Sequence, residues 1–161
     1  MTGLVAAQSI VVPDKMLQGA GVNVVQEEVS RIDTGKKAVY TSGGQEFAYD
    51  KLFLAVGSSP FVPPIEGRDL AGVLTLRGLP DAEGIKEALG EENTKNIVFV
   101  GAGFINMEIA ALLKERYGEK YKISVIELMH HPLPLMLDND MGNEVRTYLE
   151  EMGLKIITSS K

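Results

Sequence analysis

The sequence predicts an α/β protein: a parallel βαβαβ half-sheet that follows an antiparallel β-meander and one buried strand. Three observations carry this prediction. Residues 22–57 hold short strand-like segments separated by glycine-rich turns, residues 96–103 run from an apolar strand into glycines, and residues 104–158 alternate helix and strand patterns. Strands that alternate with helices favour a parallel sheet with right-handed crossovers, and such a sheet binds its ligand at the carboxyl edge.

The first half of the chain is expected to supply the meander. A short helix or loop is predicted at 13–21, strands at 22–29, 37–41 and 46–49, and turns at 33–36 and 42–44. The almost continuous apolar run 51–56 ends at Gly57, as expected for a strand buried on both faces. Asp33-Thr34-Gly35 spells the aspartic-protease triplet, but without flanking apolar strands or a second copy it is interpreted as a hairpin turn.

The second half is expected to supply the half-sheet. Asp81 is predicted to cap a helix that runs to Leu89, and Asp138 to cap a later one. Strands are predicted at 96–100, 122–126 and 154–158. Helical spacing predicts two apolar faces between them, formed by Ile105, Ile109, Leu112 and Leu113 in one helix and by Met141, Val145, Leu149 and Met152 in the other.

The glycines after the strand at 96–100 carry the one chemistry that can be named. Gly101 would let the chain turn, and Gly103 would let backbone approach a pyrophosphate at a helix N-terminus. Glu127, at the end of the second strand, stands where a carboxylate grips adenosine ribose hydroxyls and repels the 2′-phosphate of NADP. The third glycine position holds Asn106, which is expected to set the helix slightly farther from the strand.

Composition excludes several classes of function. The net charge is −6 and no basic cluster exceeds the pair Lys36-Lys37, so nucleic acid is not an expected partner. No apolar run is long enough to span a membrane and no signal peptide is recognised, so the cytoplasm is the expected location. The absence of cysteine excludes a thiolate nucleophile. His130-His131 is expected to lie in a solvent loop, with contact of one of the two to an adenosine as the alternative, and no metal site is predicted.

The order of these pieces resembles the pyridine nucleotide–disulfide oxidoreductases, especially the NADH oxidases, NADH peroxidases and coenzyme A disulfide reductases. The resemblance covers nearly everything from Val22 onward. The matching segments are YDKLFLAVGSSP at 49–60, PPIEG at 63–67, DAEGI at 81–85 and the glycine motif at 101–108 with Glu127. Asn106 departs from the family pattern, and so does Val56, which stands where the flavin turn more often has threonine.

The resemblance implies a Rossmann-like NAD site and a flavin-side turn. Gly101 and Gly103 would line the pyrophosphate, and Glu127 would take the ribose. The resemblance also implies that Phe104, Ile105 and Glu108, in the following helix, lie near the nicotinamide. It implies that Gly57 belongs to a turn near the flavin. NADH is therefore the expected ligand, preferred over NADPH, and FAD is expected in the full-length parent. No residue of this chain is expected to be catalytic.

Under this resemblance the chain is expected to be an internal fragment. Residues 1–75 would belong to a split FAD-binding domain, 76–94 to a linker helix and 95–161 to a partial NAD-binding domain. The parent would be an oxidoreductase that passes hydride from NADH to flavin. The isolated chain is expected to be inactive, and its uncovered apolar surface is expected to favour a homo-oligomer. The alternative is a non-catalytic NAD-sensing module that uses the same half-sheet.

Overall fold

The computed structural model describes Ser9 and residues 11–160 of the chain. These residues form two compact units that divide between Ser59 and Pro60. The first unit contains the antiparallel strands and the second contains the parallel strands. Each unit is described by itself.

The first unit is a three-stranded meander. Helix α1 (Asp14–Gly19) precedes strands β1 (Val29–Asp33), β2 (Ala38–Thr41) and β3 (Glu46–Ala48), which pair antiparallel in the order β1-β2-β3. The β1–β2 connection is the predicted hairpin turn, because the Lys36 N–H donates to Asp33 Oδ1 at 2.9 Å. This bond, and then the neighbouring Arg31 guanidinium, hold the pKa of the Asp33 carboxyl below its usual range. The triplet at 33–35 is therefore part of a turn.

Two strand predictions in this unit are wrong. Residues 22–28 and 51–56 form no strand in the structure. The run 51–56 is also not buried, since the side chain of Phe53 is 90% exposed. An extended segment becomes a strand only when its N–H and C=O groups pair with a neighbouring strand, and these two segments have no such neighbour in the described part of the chain. The apolar side chains of 51–56 therefore form an exposed surface of the kind that packs against another protein segment.

The second unit is the predicted βαβαβ half-sheet, preceded by helix α2 (Leu79–Gly90). Strands β4, β5 and β6 pair in parallel in that order, and helices α3 and α4 make the crossovers. The remaining bounds are β4 Asn96–Val100, α3 Phe104–Tyr117, a 3₁₀ turn Gly118–Lys120, β5 Lys122–Ile126, α4 Asn139–Glu151 and β6 Lys155–Ile157. Its central strand is the most buried, with Val125 fully covered. Among the described residues, no helix has both the length and the apolar character needed to cross a bilayer.

Helix α2 begins earlier than predicted, and Asp81 is not its N-cap. The N-cap is Gly78, and Asp81 lies in the first turn. Its Oδ2 accepts the N–H groups of Gly78 at 2.9 Å and Arg77 at 2.8 Å. These two bonds hold the pKa of the Asp81 carboxyl below its usual range. The carboxylate therefore caps the helix from inside its first turn. The same turn contains a proline, which is tolerated because the first N–H groups of a helix have no intrahelical acceptor.

The inner faces of α3 and α4 are partly as predicted. In α3 the buried apolar residues are Met107, Ala110 and Leu113, whereas Ile105 is exposed. In α4 Leu149 is buried and two neighbours pack beside it as predicted, but Met141 is exposed. Both exposed residues lie in the first turn of their helix, at the carboxyl edge of the sheet. There the described part of the chain offers no buried core for them to pack against. A helix face predicted from spacing alone extends beyond the core that covers it.

The prediction that both adjacent histidines face solvent is wrong for one of them. His130 is exposed, whereas His131 is only 6% exposed. His131 Nδ1 lies 2.9 Å from the Pro132 carbonyl oxygen, and its ring packs against Gly142 of α4. The missing side chain at Gly142 creates the space for the ring. Neither histidine belongs to a cluster of metal-binding side chains in the part of the chain that the structure describes.

This packing predicts that Gly142→Ala destabilises the protein. A Cβ at Gly142 would overlap the Nδ1 and Cγ atoms of the His131 ring. We expect the free energy of unfolding to fall by about 1–3 kcal/mol, the usual cost of overpacking a core. In an ordinary helix interior the same change stabilises by about 1 kcal/mol. Urea denaturation followed by circular dichroism measures the difference.

The matched control is Gly84→Ala in α2, where a Cβ meets no atom within 4 Å. This variant should be as stable as the wild type or slightly more stable. The double variant His131→Ala with Gly142→Ala should show a coupling energy, because removal of the ring removes the overlap. If Gly142→Ala is as stable as Gly84→Ala, His131 does not occupy this socket.

Candidate functional site

The turn between β4 and α3 is built by two glycines with different roles. Gly101 has φ of 89°, a conformation that favours glycine, and its N–H donates to the Ile126 carbonyl at 2.7 Å. Gly103 is the N-cap of α3, with an extended backbone that any residue can adopt. A Cβ added at Gly103 meets no atom within 4 Å. The space in front of Gly103 is therefore open to a ligand.

The start of α3 presents unpaired donors to this space. The N–H groups of Gly103 and Phe104 find no acceptor in residues 11–160. The first N–H groups of a helix lack intrahelical partners, and the helix dipole places partial positive charge there. Open space, free N–H groups and a helix N-terminus together form a surface that fits a phosphate group.

Glu127 lies directly after β5 and is tied to the glycine turn. Only 7% of this residue is exposed. Its Oε2 accepts the Ala102 N–H at 2.6 Å, and its Oε1 accepts the Met129 N–H at 2.8 Å. Each carboxylate oxygen has a second lone pair, so a further donor can still bind at the exposed edge. The carboxylate thus joins the end of β5 to the backbone that precedes α3.

The loop that follows β5 completes a frame of backbone hydrogen bonds at this edge. The Leu133 N–H donates to the Ala102 carbonyl at 2.8 Å, which fixes the loop against the glycine turn. The Ser159 N–H donates to the Met129 carbonyl at 2.8 Å, which joins the loop to the end of β6. The ends of the three parallel strands are therefore held in one network. Sequence reasoning missed these ties, because backbone groups of any residue type can make them.

Asn106 makes contacts that a glycine could not make. Its Nδ2 donates to the carbonyl oxygens of Val100 at 3.0 Å and of Gly101 at 2.9 Å. The side chain thus reaches back from the first turn of α3 to the end of β4. The sequence indicated only that this amide needed room and partners, and both partners are backbone groups beside the turn.

The structure brings some of the predicted site residues to one edge. Gly101, Gly103 and Glu127 meet at the carboxyl ends of β4 and β5. Phe104, Ile105 and Glu108 lie on the exposed side of the first turns of α3, and Phe104 is 58% exposed. Gly57 belongs to the first unit, where its φ of 72° is the conformation of a glycine turn. Ala102 and Asn106 are the site residues that the sequence did not assign.

Known proteins resemble this chain in sequence. It is 41% identical over 124 residues to a NADH oxidase of Methanocaldococcus jannaschii, which covers 76% of this chain and 27% of that protein. It is 36% identical over 144 residues to a NADH oxidase of Lactococcus lactis, which covers 86% of this chain and 32% of that protein. The chain therefore spans about a quarter to a third of the length of these relatives.

Solved structures resemble it in fold. A NAD-dependent persulfide reductase from A. fulgidus superimposes with a TM-score of 0.76 at 35% identity, covering 92% of this chain and 27% of that one. A water-forming NADH oxidase from Lactobacillus brevis, bound to NADH, superimposes with a TM-score of 0.80 at 26% identity, covering 99% of this chain and 36% of that one. Both confirm the predicted α/β class.

The family match agrees with the glycine turn and the half-sheet. The family described as pyridine nucleotide-disulphide oxidoreductase matches residues 6–161, which is nearly the whole chain. The resemblance predicted from the segments 49–60, 63–67, 81–85 and 101–108 is thereby confirmed. The chain belongs to the pyridine nucleotide-disulphide oxidoreductase family.

Proposed function

We propose that this chain is the NADH-binding portion of an FAD- and NAD-dependent oxidoreductase in which hydride passes from NADH to flavin. The observation that carries the proposal is the open space at Gly103, bordered by the N–H groups of Gly103 and Phe104, which have no acceptor among residues 11–160. Two relatives named NADH oxidase support a pyridine nucleotide as the ligand. NADH, when bound, supplies the hydride, and the residues of this chain bind and orient it.

The pyrophosphate is proposed to lie at the glycine turn. Gly103 leaves room for close approach, and its N–H and that of Phe104 would donate to phosphate oxygens. Gly101 contributes by its backbone conformation, which turns the chain out of β4. These features support a pyrophosphate at the turn.

The exposed side of α3 is proposed to face the nicotinamide half. Phe104 and Ile105 offer apolar surface that is not covered by the described residues, and Glu108 stands one turn later. An apolar surface beside a carboxylate suits an aromatic ring that carries a carboxamide, because the ring buries apolar area and the amide donates to the carboxylate. We assign these three residues to binding and orientation.

Glu127 is proposed to select NADH over NADPH. Both of its oxygens already accept backbone N–H groups, and the remaining lone pairs would accept ribose hydroxyls. A 2′-phosphate at the same place would meet a buried negative charge, which is costly in a poorly solvated environment. The carboxylate would thus serve both the fold and the choice of cofactor.

The FAD side of the chain is proposed by segment, without assignment of individual contacts to flavin. The family resemblance of residues 49–60 implies that the turn at Gly57 lies near FAD, and its φ of 72° supports a glycine turn there. We propose that residues 1–75 belong to the FAD-binding part, 76–94 to the linker helix and 95–161 to the NAD-binding part. A cytoplasmic location is proposed with this function.

The pyrophosphate assignment is tested by Gly103→Ala. An alanine fits the extended backbone at this position and meets no atom within 4 Å, so the variant should fold like the wild type. The added methyl group would occupy the space where the pyrophosphate approaches. We expect the Kd for NADH to rise about tenfold or more, which corresponds to about 1.4 kcal/mol. Isothermal titration calorimetry measures the affinity.

Gly84→Ala is the matched control, since it adds the same methyl group to the same unit in open space on α2. It should bind NADH as tightly as the wild type. Equal NADH affinity of Gly103→Ala and Gly84→Ala would contradict a pyrophosphate at this turn. Failure of the folded wild type to bind NADH would overturn the proposed function itself.

The cofactor preference is tested by Glu127→Gln. A neutral amide no longer repels a 2′-phosphate. It keeps only one of the two oxygens that accept the Ala102 and Met129 N–H groups, so thermal unfolding first checks that the variant is folded, and the ratio of the two affinities is compared. We expect the wild type to favour NADH by about tenfold or more, and the variant to lose most of that preference. Fluorescence titration with NADH and NADPH gives both Kd values. The exposed Glu144→Gln on α4 is the charge-matched control. Equal affinity of the wild type for the two nucleotides would sink the assignment.

The isolated chain is expected to lack flavin and turnover and to self-associate. It has no cysteine, and a single glycine carries its flavin-side assignment. Phe53 and other apolar side chains of 51–56 are exposed, and such patches favour association. Size-exclusion chromatography with light scattering, a visible spectrum of the peak and an NADH-consumption assay test these points together. A yellow protein, NADH turnover or a strict monomer at high concentration would each refute the corresponding part.

A further inference from the structure

We infer that Asn106 is a positioning residue that replaces the third glycine of the motif and fixes the direction of the ligand-facing N–H groups. This inference rests on the proposed NADH site. Asn106 is the third residue of α3, one turn from the open space at Gly103. Hydrogen bonds hold some backbone groups of this turn and leave others without a partner in the described part of the chain.

Both N–H groups of the Asn106 amide have a defined acceptor. Nδ2 lies 3.0 Å from the Val100 oxygen and 2.9 Å from the Gly101 oxygen. These carbonyls close β4 and open the turn, where the chain leaves the sheet. The amide therefore neutralises two partial negative charges beside the place where an anionic pyrophosphate is proposed to bind.

The peptide unit between Gly101 and Ala102 is held at both of its polar groups. Its carbonyl accepts from Asn106 Nδ2 at 2.9 Å, and its N–H donates to Glu127 Oε2 at 2.6 Å. A peptide plane fixed at both ends cannot rotate without breaking one of the bonds. Gly101 itself offers little resistance, because glycine populates many conformations at low cost. The two side chains therefore supply the rigidity that the glycine lacks.

The next peptide unit is held at one group and free at the other. The Ala102 carbonyl accepts the Leu133 N–H at 2.8 Å, whereas the Gly103 N–H has no acceptor in the described part of the chain. With its carbonyl fixed and the preceding plane clamped, this peptide has a defined orientation. The free N–H then points in a fixed direction before the ligand arrives, which lowers the entropic cost of binding.

The expected consequence is specific to phosphate. Without the Asn106 amide, the Gly101 carbonyl loses its donor and the clamped plane is free to turn at its glycine end. A carbonyl that turns toward the pyrophosphate repels it, and the Gly103 N–H loses its aim. The adenosine half, which is assigned to the region of Glu127, should be affected much less.

The experiment compares ADP-ribose, which contains the pyrophosphate, with adenosine, which does not. Asn106→Ala is expected to weaken ADP-ribose binding about tenfold while adenosine binding changes less than about threefold. Asn106→Asp keeps the shape but replaces both N–H donors with carboxylate oxygen, so it should weaken ADP-ribose binding further. Asn143→Ala, on the exposed side of α4, is the matched control and should leave both affinities unchanged. NMR titration of the 161-residue chain measures both ligands, and thermal unfolding tests whether each variant is folded.

The outcomes separate this inference from the proposed function. If the folded wild type binds neither NADH nor ADP-ribose, the proposed function fails and the inference fails with it. If the wild type binds ADP-ribose and the folded Asn106 variants bind it equally well, only the inference is overturned. Equal weakening of ADP-ribose and adenosine would also overturn it, because it would indicate a general loss of structure.

Discussion

The carboxylate of Glu127 is the interaction on which the rest of this site depends. A buried carboxylate is costly unless donors satisfy it, and Glu127 finds backbone N–H groups at Ala102 and Met129. These bonds join the end of β5 to the glycine turn of β4 and to the loop that leads toward α4. The open space at Gly103 has a stable border only because the backbone on both sides of it is held.

The parallel sheet explains why few side chains are needed to assemble the candidate site. β4, β5 and β6 end at the same edge, so residues far apart in sequence meet there without a dedicated contact for each pair. The helices begin at this edge too, which places the N-terminus of α3 beside the carboxyl end of β4. Backbone groups therefore supply most of the site, and the side chains of Glu127 and Asn106 adjust their directions.

Features that depend on short segments could be predicted from the sequence, whereas features that depend on contacts between distant residues could not. The strands of the half-sheet and the glycine turn followed from local patterns, because periodicity and glycine conformation are properties of short segments. The apolar run 51–56 predicts a buried strand, but it pairs with no strand in the described part of the chain. Strand pairing depends on segments that are distant in sequence. His131 looked like a solvent residue because its socket, the missing side chain of Gly142, lies on another element. The hydrogen-bond acceptors of Asn106 could not be predicted either, because they are backbone carbonyl groups, which every residue has.

Glu127 and Asn106 act on the same peptide unit, and this has a consequence for how each should be judged. Glu127 holds the Ala102 N–H and Asn106 holds the Gly101 carbonyl, which belong to one rigid plane. Loss of either bond leaves the plane free to rotate, so the other bond alone no longer fixes the direction of the turn, although Glu127 is still held by the Met129 N–H. Their effects on the turn are therefore coupled, as expected for residues that share a partner. A departure from the family's glycine pattern at Asn106 is thus compatible with the same site, because the amide restores by hydrogen bonding the rigidity that close packing would otherwise provide.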